Sequence, residues 1–322
     1  MYYNSILEVI GNTPLVKLNS INQKLRPVIL AKLEYLNPGG SMKDRIGIIM
    51  IEEAEKKGIL KRGGTIVEPT SGNTGVGLAI AAAVKGYSCI FTMSEKMSLE
   101  KEMVLNAYGA KVIRAPADVT PDDPKHYINV AKRIAKQTPN AFMPNQYDNR
   151  ANSLAHYQTT GPEIWRDTKG KLTYLIVPVG TGGTISGTAQ YLKEQNPNIK
   201  VLGADPEGSL LHHLFYHTKG QAHAYKVEGP GEDFMPGVLN FSVIDEMIIV
   251  KDKDSFDTAR KLVMLEGIFA GGSSGLAVFA ALQIAKELSR KDIVVVILPD
   301  SGRGYVSKFY NDSWMKEMGF LS

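Results

Sequence analysis

Short apolar stretches alternate with longer segments of helical periodicity along most of this chain, and that alternation leaves few folds open. Strands are predicted at 28–33, 65–68, 88–93, 111–114, 174–179, 200–205 and 293–298. Helices are predicted at 44–57, 74–85, 99–108, 124–136, 184–195, 255–266 and 274–289. A strand that returns through a crossover helix pairs parallel to its predecessor, and parallel sheets are covered on both faces. The expectation is therefore an α/β fold with mainly parallel sheets, carrying its ligands at the carboxyl ends of strands. At about 150 residues per domain, 322 residues suggest two domains.

Composition narrows the function classes. Hydrophobic residues make up 43% and charged residues 22%, as in ordinary globular proteins, and no apolar run is long enough to span a bilayer. The start, Met1-Tyr2-Tyr3-Asn4-Ser5, lacks a basic segment followed by an apolar one, so a cytoplasmic enzyme without a signal peptide is expected. The net charge of +4 is spread among interleaved acids, with no basic stripe to bind nucleic acid. The single cysteine, Cys89, excludes an internal disulfide framework and a cysteine-based metal cluster; within the strand-like stretch 87–93 it reads as a small core residue.

Four turns rich in glycine or small residues stand at strand-to-helix junctions. The first is Asn37-Pro38-Gly39-Gly40-Ser41-Met42-Lys43-Asp44-Arg45. Pro38, Gly39 and Gly40 stop the preceding strand, Ser41 is the expected N-cap, and Ile46, Ile49, Met50 and Ala54 recur at helical spacing. Lys43 thus falls in the first helical turn, where the helix dipole disfavours a cation and favours a neutral, nucleophilic amine or a Schiff base. The plainer alternative is a solvated surface lysine.

The second turn, Glu68-Pro69-Thr70-Ser71-Gly72-Asn73-Thr74-Gly75, offers hydroxyls and backbone amides to a carboxylate or phosphate, or simply caps a helix. The third, Gly180-Thr181-Gly182-Gly183-Thr184, suits a terminal phosphate. It fails the dinucleotide spacing G-x-G-x-x-G because Ile185 replaces the last glycine, although Asp205 ends the next strand where a ribose-binding acid is expected. A nicotinamide-dependent oxidoreductase therefore stays as an alternative, one that leaves the lysine turn unexplained. In the fourth turn, Gly271-Gly272-Ser273-Ser274-Gly275, Ser273 can offer a neutral hydrogen bond to a heterocycle nitrogen, or cap the helix. His212, His213, His217 and His223 lack the acidic partner of a metal-binding helix and are read as loop and packing residues in the irregular stretch 210–237.

Together these segments, with Asn12-Thr13-Pro14-Leu15-Val16 and Thr159-Thr160-Gly161-Pro162-Glu163-Ile164-Trp165, resemble in order the motifs of fold-type II pyridoxal-phosphate enzymes of the cysteine synthase and cystathionine β-synthase family, over residues 12–320. The resemblance implies two three-layer α/β domains of the tryptophan synthase β type: a smaller mobile domain, 44–149, gripping the substrate carboxylate, and a larger one, 1–43 with 150–322, anchoring pyridoxal 5′-phosphate. By the same resemblance Lys43 is the Schiff-base lysine and proton carrier, and Gly180, Thr181, Gly182, Gly183 and Thr184 form the phosphate cup. Asn73 meets the coenzyme's phenolic oxygen and Ser273 its pyridine nitrogen. Thr70, Ser71, Gly72, Thr74 and Gln146 hold the substrate, Ser71 counting also as catalytic.

The implied reaction is β-replacement on L-serine or L-cysteine through an α-aminoacrylate, giving cystathionine and able to release hydrogen sulfide. Lanthionine formation or cysteine breakdown, sulfhydrylation of O-acetylserine, and serine or threonine dehydration are the related alternatives; a homologue that kept only the fold is a further one. The segments Glu95-Lys96-Met97-Ser98, Asp205-Pro206-Glu207-Gly208-Ser209, Glu228-Gly229-Pro230-Gly231 and Pro299-Asp300-Ser301-Gly302-Arg303 lean toward the β-synthase branch. Glu232, before Asp233-Phe234, departs from that branch's usual aromatic residue and is expected to receive the ammonium group of a second amino acid. The family is usually dimeric, so a homodimer acting on small amino acids and thiols is expected. Since the sequence ends soon after Trp314, tandem regulatory domains are not expected; nor is an N-terminal haem segment, with no cysteine and histidine there for haem.

Overall fold

The computed structural model describes all residues except Met1, Ser71, Lys96, Ser98 and Pro121. In chain order the elements are β1 (Leu15–Lys17), β2 (Val28–Leu33), α1 (Lys43–Lys56), β3 (Thr65–Pro69), α2 (Asn73–Lys85), β4 (Ser88–Ser94), α3 (Leu99–Ala107), β5 (Lys111–Ala115), α4 (Tyr127–Gln137), β6 (Ala141–Phe142), α5 (Ala151–Gln158), α6 (Thr160–Asp167), β7 (Tyr174–Pro178), α7 (Gly183–Gln195), β8 (Lys200–Pro206), α8 (Leu211–Phe215), β9 (Glu246–Val250), α9 (Asp252–Glu266), α10 (Gly272–Ile284), β10 (Ile293–Leu298) and α11 (Asp312–Glu317). They fall into two compact units. One comprises Met1–Gly11 and Asn37–Ala155, the other Asn12–Leu36 and His156–Ser322.

The first unit is built on a four-stranded sheet of order β5-β4-β3-β6, parallel throughout. Its core gathers Ile46, Met50 and Ile51 of α1, Leu78, Ala79 and Ala82 of α2, and Ile66, Phe91 and Met93 from the strands. Cys89 is buried in β4, and burial pushes its thiol up to about 12, so it behaves as a core residue. The second unit holds a six-stranded sheet of order β1-β2-β10-β7-β8-β9, parallel except for the antiparallel pair β1–β2. Its middle strand β10, Ile-Val-Val-Val-Ile-Leu, is an unbroken apolar run, as a strand covered on both faces requires. α10 packs on β7, β8 and β10 and is apolar on every side, the mark of a helix sealed inside a domain.

Several boundaries move from their sequence expectation. The N-cap of α1 is Met42, not Ser41, and the helix opens at Lys43; the Ser41 hydroxyl still accepts the Lys43 N–H at 3.2 Å. α4 starts at Tyr127 because Asp123 takes the Lys125 N–H (2.7 Å) and closes a turn over the residues expected to be helical. α9 begins earlier, at Asp252, with Asp252 and Asp254 in the first turn where the dipole favours them. α10 runs from Gly272 and stops at Ile284, short of Ser289.

Candidate active site

In the first unit the geometry starts from two glycines. A Cβ on Gly47 would stand 2.8 Å from the Leu78 nitrogen, and one on Gly77 would stand 2.7 Å from the carbonyl carbon of Lys43. Both lie inside contact distance, so α1 and α2 approach as closely as bare backbones allow, and the main chain of Lys43 is seated on α2. Ahead of it the loop is folded back: Gly39 N–H donates to Asp44 Oδ2 (2.5 Å) and Gly40 N–H to the Asn37 carbonyl (2.8 Å). Asn73 is the first residue of α2, whose N-cap Gly72 has φ +147° and no side chain to cap with. Thr70 caps instead, its hydroxyl oxygen accepting from Gly72 N–H (3.3 Å) and Gly75 N–H (3.1 Å).

Thr74 and Gln146, far apart in sequence, meet here: the Thr74 hydroxyl donates to Gln146 Oε1 at 2.7 Å. Behind them lies Glu68, 1% exposed, whose two carboxylate oxygens accept the consecutive N–H groups of Asn145 (2.8 Å) and Gln146 (3.0 Å). Burial pushes Glu68 up to about 7 against the pull of those amides. Ser71, and Lys96 and Ser98 of the 95–98 segment, lie outside the described residues.

In the second unit, the end of β7 turns through Gly180–Gly182 into α7. Gly182 is the N-cap, with φ +84°, and again offers no capping side chain. The first-turn amides of a helix lack intrahelical acceptors and sit at its positive end, so the turn presents donors to an anion. Close packing of the neighbouring loop requires glycine at both positions: a Cβ on Gly180 would run into the Gly229 carbonyl oxygen, and one on Gly182 would come within 2.5 Å of Leu239 Cβ. Gly231 N–H donates to the Val179 carbonyl (2.7 Å) and Asn240 N–H to Ser186 Oγ (2.9 Å), tying loop 229–240 to this turn. The Thr184 hydroxyl pairs with His156 Nε2 at 3.1 Å, and His156 Nδ1 with the Thr160 hydroxyl at 2.9 Å, all three side chains being buried.

Ser273 is the second residue of α10 and 5% exposed. The helix start is pinned: Gly271 N–H donates to the Asp300 carbonyl (3.0 Å), Tyr305 OH donates to Asp300 Oδ2 (2.7 Å), and a Cβ on Gly275 would stand 2.7 Å from the Ala259 nitrogen. Glu232 is half-buried and its backbone is clamped. Its N–H donates to Ser209 Oγ (3.0 Å), and its carbonyl accepts Leu210 N–H (2.8 Å) and the Ser209 hydroxyl (3.1 Å). Asp205 is fully buried inside the fold: Oδ2 accepts His212 N–H at 2.9 Å, and burial pushes it up to about 7. That is a loop anchor, unlike a ribose ligand. His213 Nδ1 pairs with the Thr218 hydroxyl at 3.0 Å.

A lysine at the head of a helix, a donor-lined turn at the head of another, and mainly parallel sheets in both units define the architecture of fold-type II pyridoxal-phosphate enzymes. The chain belongs to the pyridoxal-phosphate dependent enzyme family, whose match covers residues 6–300. It is 50% identical over 318 residues to a cystathionine beta-synthase of Apis mellifera, an alignment that covers 98% of this chain and 63% of that relative. The chain thus spans less than two thirds of that relative's length. Among solved structures, an O-acetylserine dependent cystathionine beta-synthase from Helicobacter pylori superposes with a TM-score of 0.87 at 38% identity, covering 96% of this chain and 98% of that one. A hydrogen sulfide-producing enzyme from Fusobacterium nucleatum superposes with a TM-score of 0.88 at 40% identity, covering 94% and 98%.

The residues present fit the coenzyme. Lys43 carries an amine at the head of α1, and the turn before α7 ends in a helix N-terminus of the kind that holds a phosphate. Sequence reasoning did not single out Glu68 or His156 for a role. A carboxylate closing the otherwise apolar run of β3 was the available signal for Glu68; nothing local distinguishes His156, whose partners come from two other helices.

Proposed function

We propose that this enzyme catalyses β-replacement on L-serine or L-cysteine with homocysteine as the incoming thiol, forming cystathionine and releasing water or hydrogen sulfide. The observation that carries it is the Thr74–Gln146 hydrogen bond at the start of α2, which Thr70 caps, read as a carboxylate grip in the same unit as Lys43. The names of the relatives support it, two for cystathionine synthesis and one for hydrogen sulfide production.

Bound pyridoxal phosphate supplies an electron sink for negative charge at the substrate's Cα. The chain supplies the rest. Lys43 Nζ takes the Cα proton and returns it to the product, while Thr70, Ser71, Gly72, Thr74 and Gln146 orient the carboxylate. Gly180, Thr181, Gly182, Gly183 and Thr184 hold the phosphate, Asn73 the phenolic oxygen, and Ser273 the pyridine nitrogen as a neutral partner. Glu232 receives the ammonium group of the incoming amino acid. The first unit acts as the substrate-carboxylate domain and the second as the coenzyme-phosphate domain.

With this we propose a cytoplasmic homodimer acting on small amino acids and thiols. No helix among the described residues is long and apolar enough to cross a membrane. The test is stoichiometry: holoenzyme given L-cysteine and homocysteine should release one sulfide per cystathionine formed. Sulfide accompanied by pyruvate and no thioether would overturn the proposal.

A further inference from the structure

We propose that Glu68 is a positioning residue for the amino-acid substrate, setting the pose of Gln146 through the backbone of residues 145 and 146; this rests on the reading of Thr74 and Gln146 as carboxylate ligands. Glu68 is 1% exposed at the end of β3, where a carboxylate without hydrogen bonds would be strongly destabilising. Its two oxygens accept two successive amides, Asn145 N–H at 2.8 Å and Gln146 N–H at 3.0 Å. Asn145 has φ +52°, the left-handed backbone that turns successive N–H groups toward one anion.

Gln146 is held on its other side as well. Asn152 Nδ2 donates to the Gln146 carbonyl at 2.8 Å, so the main chain is fixed at both its N–H and its C=O. The Thr74 hydroxyl then fixes the side chain through Oε1. Two residues beyond Glu68, Thr70 caps α2 through Gly72 and Gly75. Both halves of the grip, the start of α2 and the 145–146 loop, are therefore registered to the end of one strand. A Glu68→Gln side chain replaces one acceptor oxygen with an NH2 group facing an N–H. One of the two amides loses its acceptor, and the loop rotates away from α2.

The experiment is steady-state kinetics of the holoenzyme variants Glu68→Gln, Asn152→Ala and Gln146→Ala, with spectral titration of the bound coenzyme by L-serine. Glu68→Gln is expected to raise the KM for the first amino acid about tenfold to a hundredfold, with kcat within about threefold. The spectral dissociation constant should rise in parallel, and the spectrum without amino acid should stay unchanged. Asn152→Ala, which releases the same loop from its other tether, should act in the same direction, and it decides the matter if Glu68→Gln does not fold. If Gln146→Ala raises KM while Glu68→Gln and Asn152→Ala lower only thermal stability, Glu68 is structural and the inference falls, with the grip intact. If Gln146→Ala leaves KM unchanged, the grip itself is misassigned and the inference falls with it.

Discussion

The carbonyl of Lys43 occupies the space that a side chain on Gly77 would need, so the lysine expected to carry the chemistry is seated directly on the backbone of the neighbouring helix. A methyl group at 77 cannot be accommodated by a side-chain rotation, because the obstacle is main chain. Gly77→Ala is therefore expected to cost about 3 kcal/mol or more, a fall in Tm of roughly 6–12 °C for a domain of this size. Activity should fall with it as α1 is pushed off α2. Gly304→Ala, with nothing within 4 Å of its added methyl, is the control and should change stability by less than about 0.5 kcal/mol. Equal, small changes in the two variants by thermal melting would contradict the close helix crossing.

His156 holds the Thr184 hydroxyl at the turn proposed to bind the coenzyme phosphate, and is itself held by Thr160. His156→Ala should raise the coenzyme's dissociation constant about tenfold, the effect of one buried hydrogen bond. Equilibrium dialysis of the coenzyme against the variant checks this. A variant with unchanged affinity and only a lower Tm would reduce His156 to a packing role.

Asp205 gives stability a pH dependence with a definite sign. Its folded pKa, about 7, lies above that of an exposed aspartate, 3.8, so the folded state holds the proton more tightly. Stability contributed by this group is fully present at low pH and is lost as pH rises from about 4 to about 7, at most roughly 4 kcal/mol. Glu68, also pushed to about 7, acts in the same direction. Asp205→Asn, which keeps an acceptor for the His212 N–H, should therefore be more stable relative to the parent at pH 8 than at pH 5. Denaturant unfolding at both values checks it, and a difference independent of pH would contradict the buried, titrating carboxyl.

Glu232 is fixed by its backbone to Ser209 and Leu210, which sets where its side chain starts. Glu232→Gln is expected to raise the KM of the second amino acid about tenfold, the worth of one charge-assisted hydrogen bond, and to leave the rate of the first half-reaction within about twofold. Stopped-flow measurement of each half-reaction separates the two, and equal effects on both would remove Glu232 from second-substrate binding.

What the sequence made legible, and what it hid, has a physical basis. β10 and α10 were visible because complete burial demands an unbroken apolar run, and the glycine turns were visible because only glycine adopts φ values such as +84° at Gly182 without strain. β6, two residues long, and α5 and α6, eight residues each, are too short to establish a period and are seen only once packed. Ser41 was misjudged as N-cap because a capping hydroxyl one residue further out can still reach the first helical N–H. The pairing of Thr74 with Gln146, and of Glu68 with Asn145, joins residues more than seventy positions apart, and no local pattern records such contacts.

The most direct test of the proposed activity is mass spectrometry of the products formed when the holoenzyme receives L-cysteine with an equal amount of L-homocysteine. Cystathionine should dominate the mixture, with lanthionine a minor product. Lanthionine persisting as the main thioether in the presence of homocysteine would contradict cystathionine synthesis and mark cysteine as both donor and acceptor.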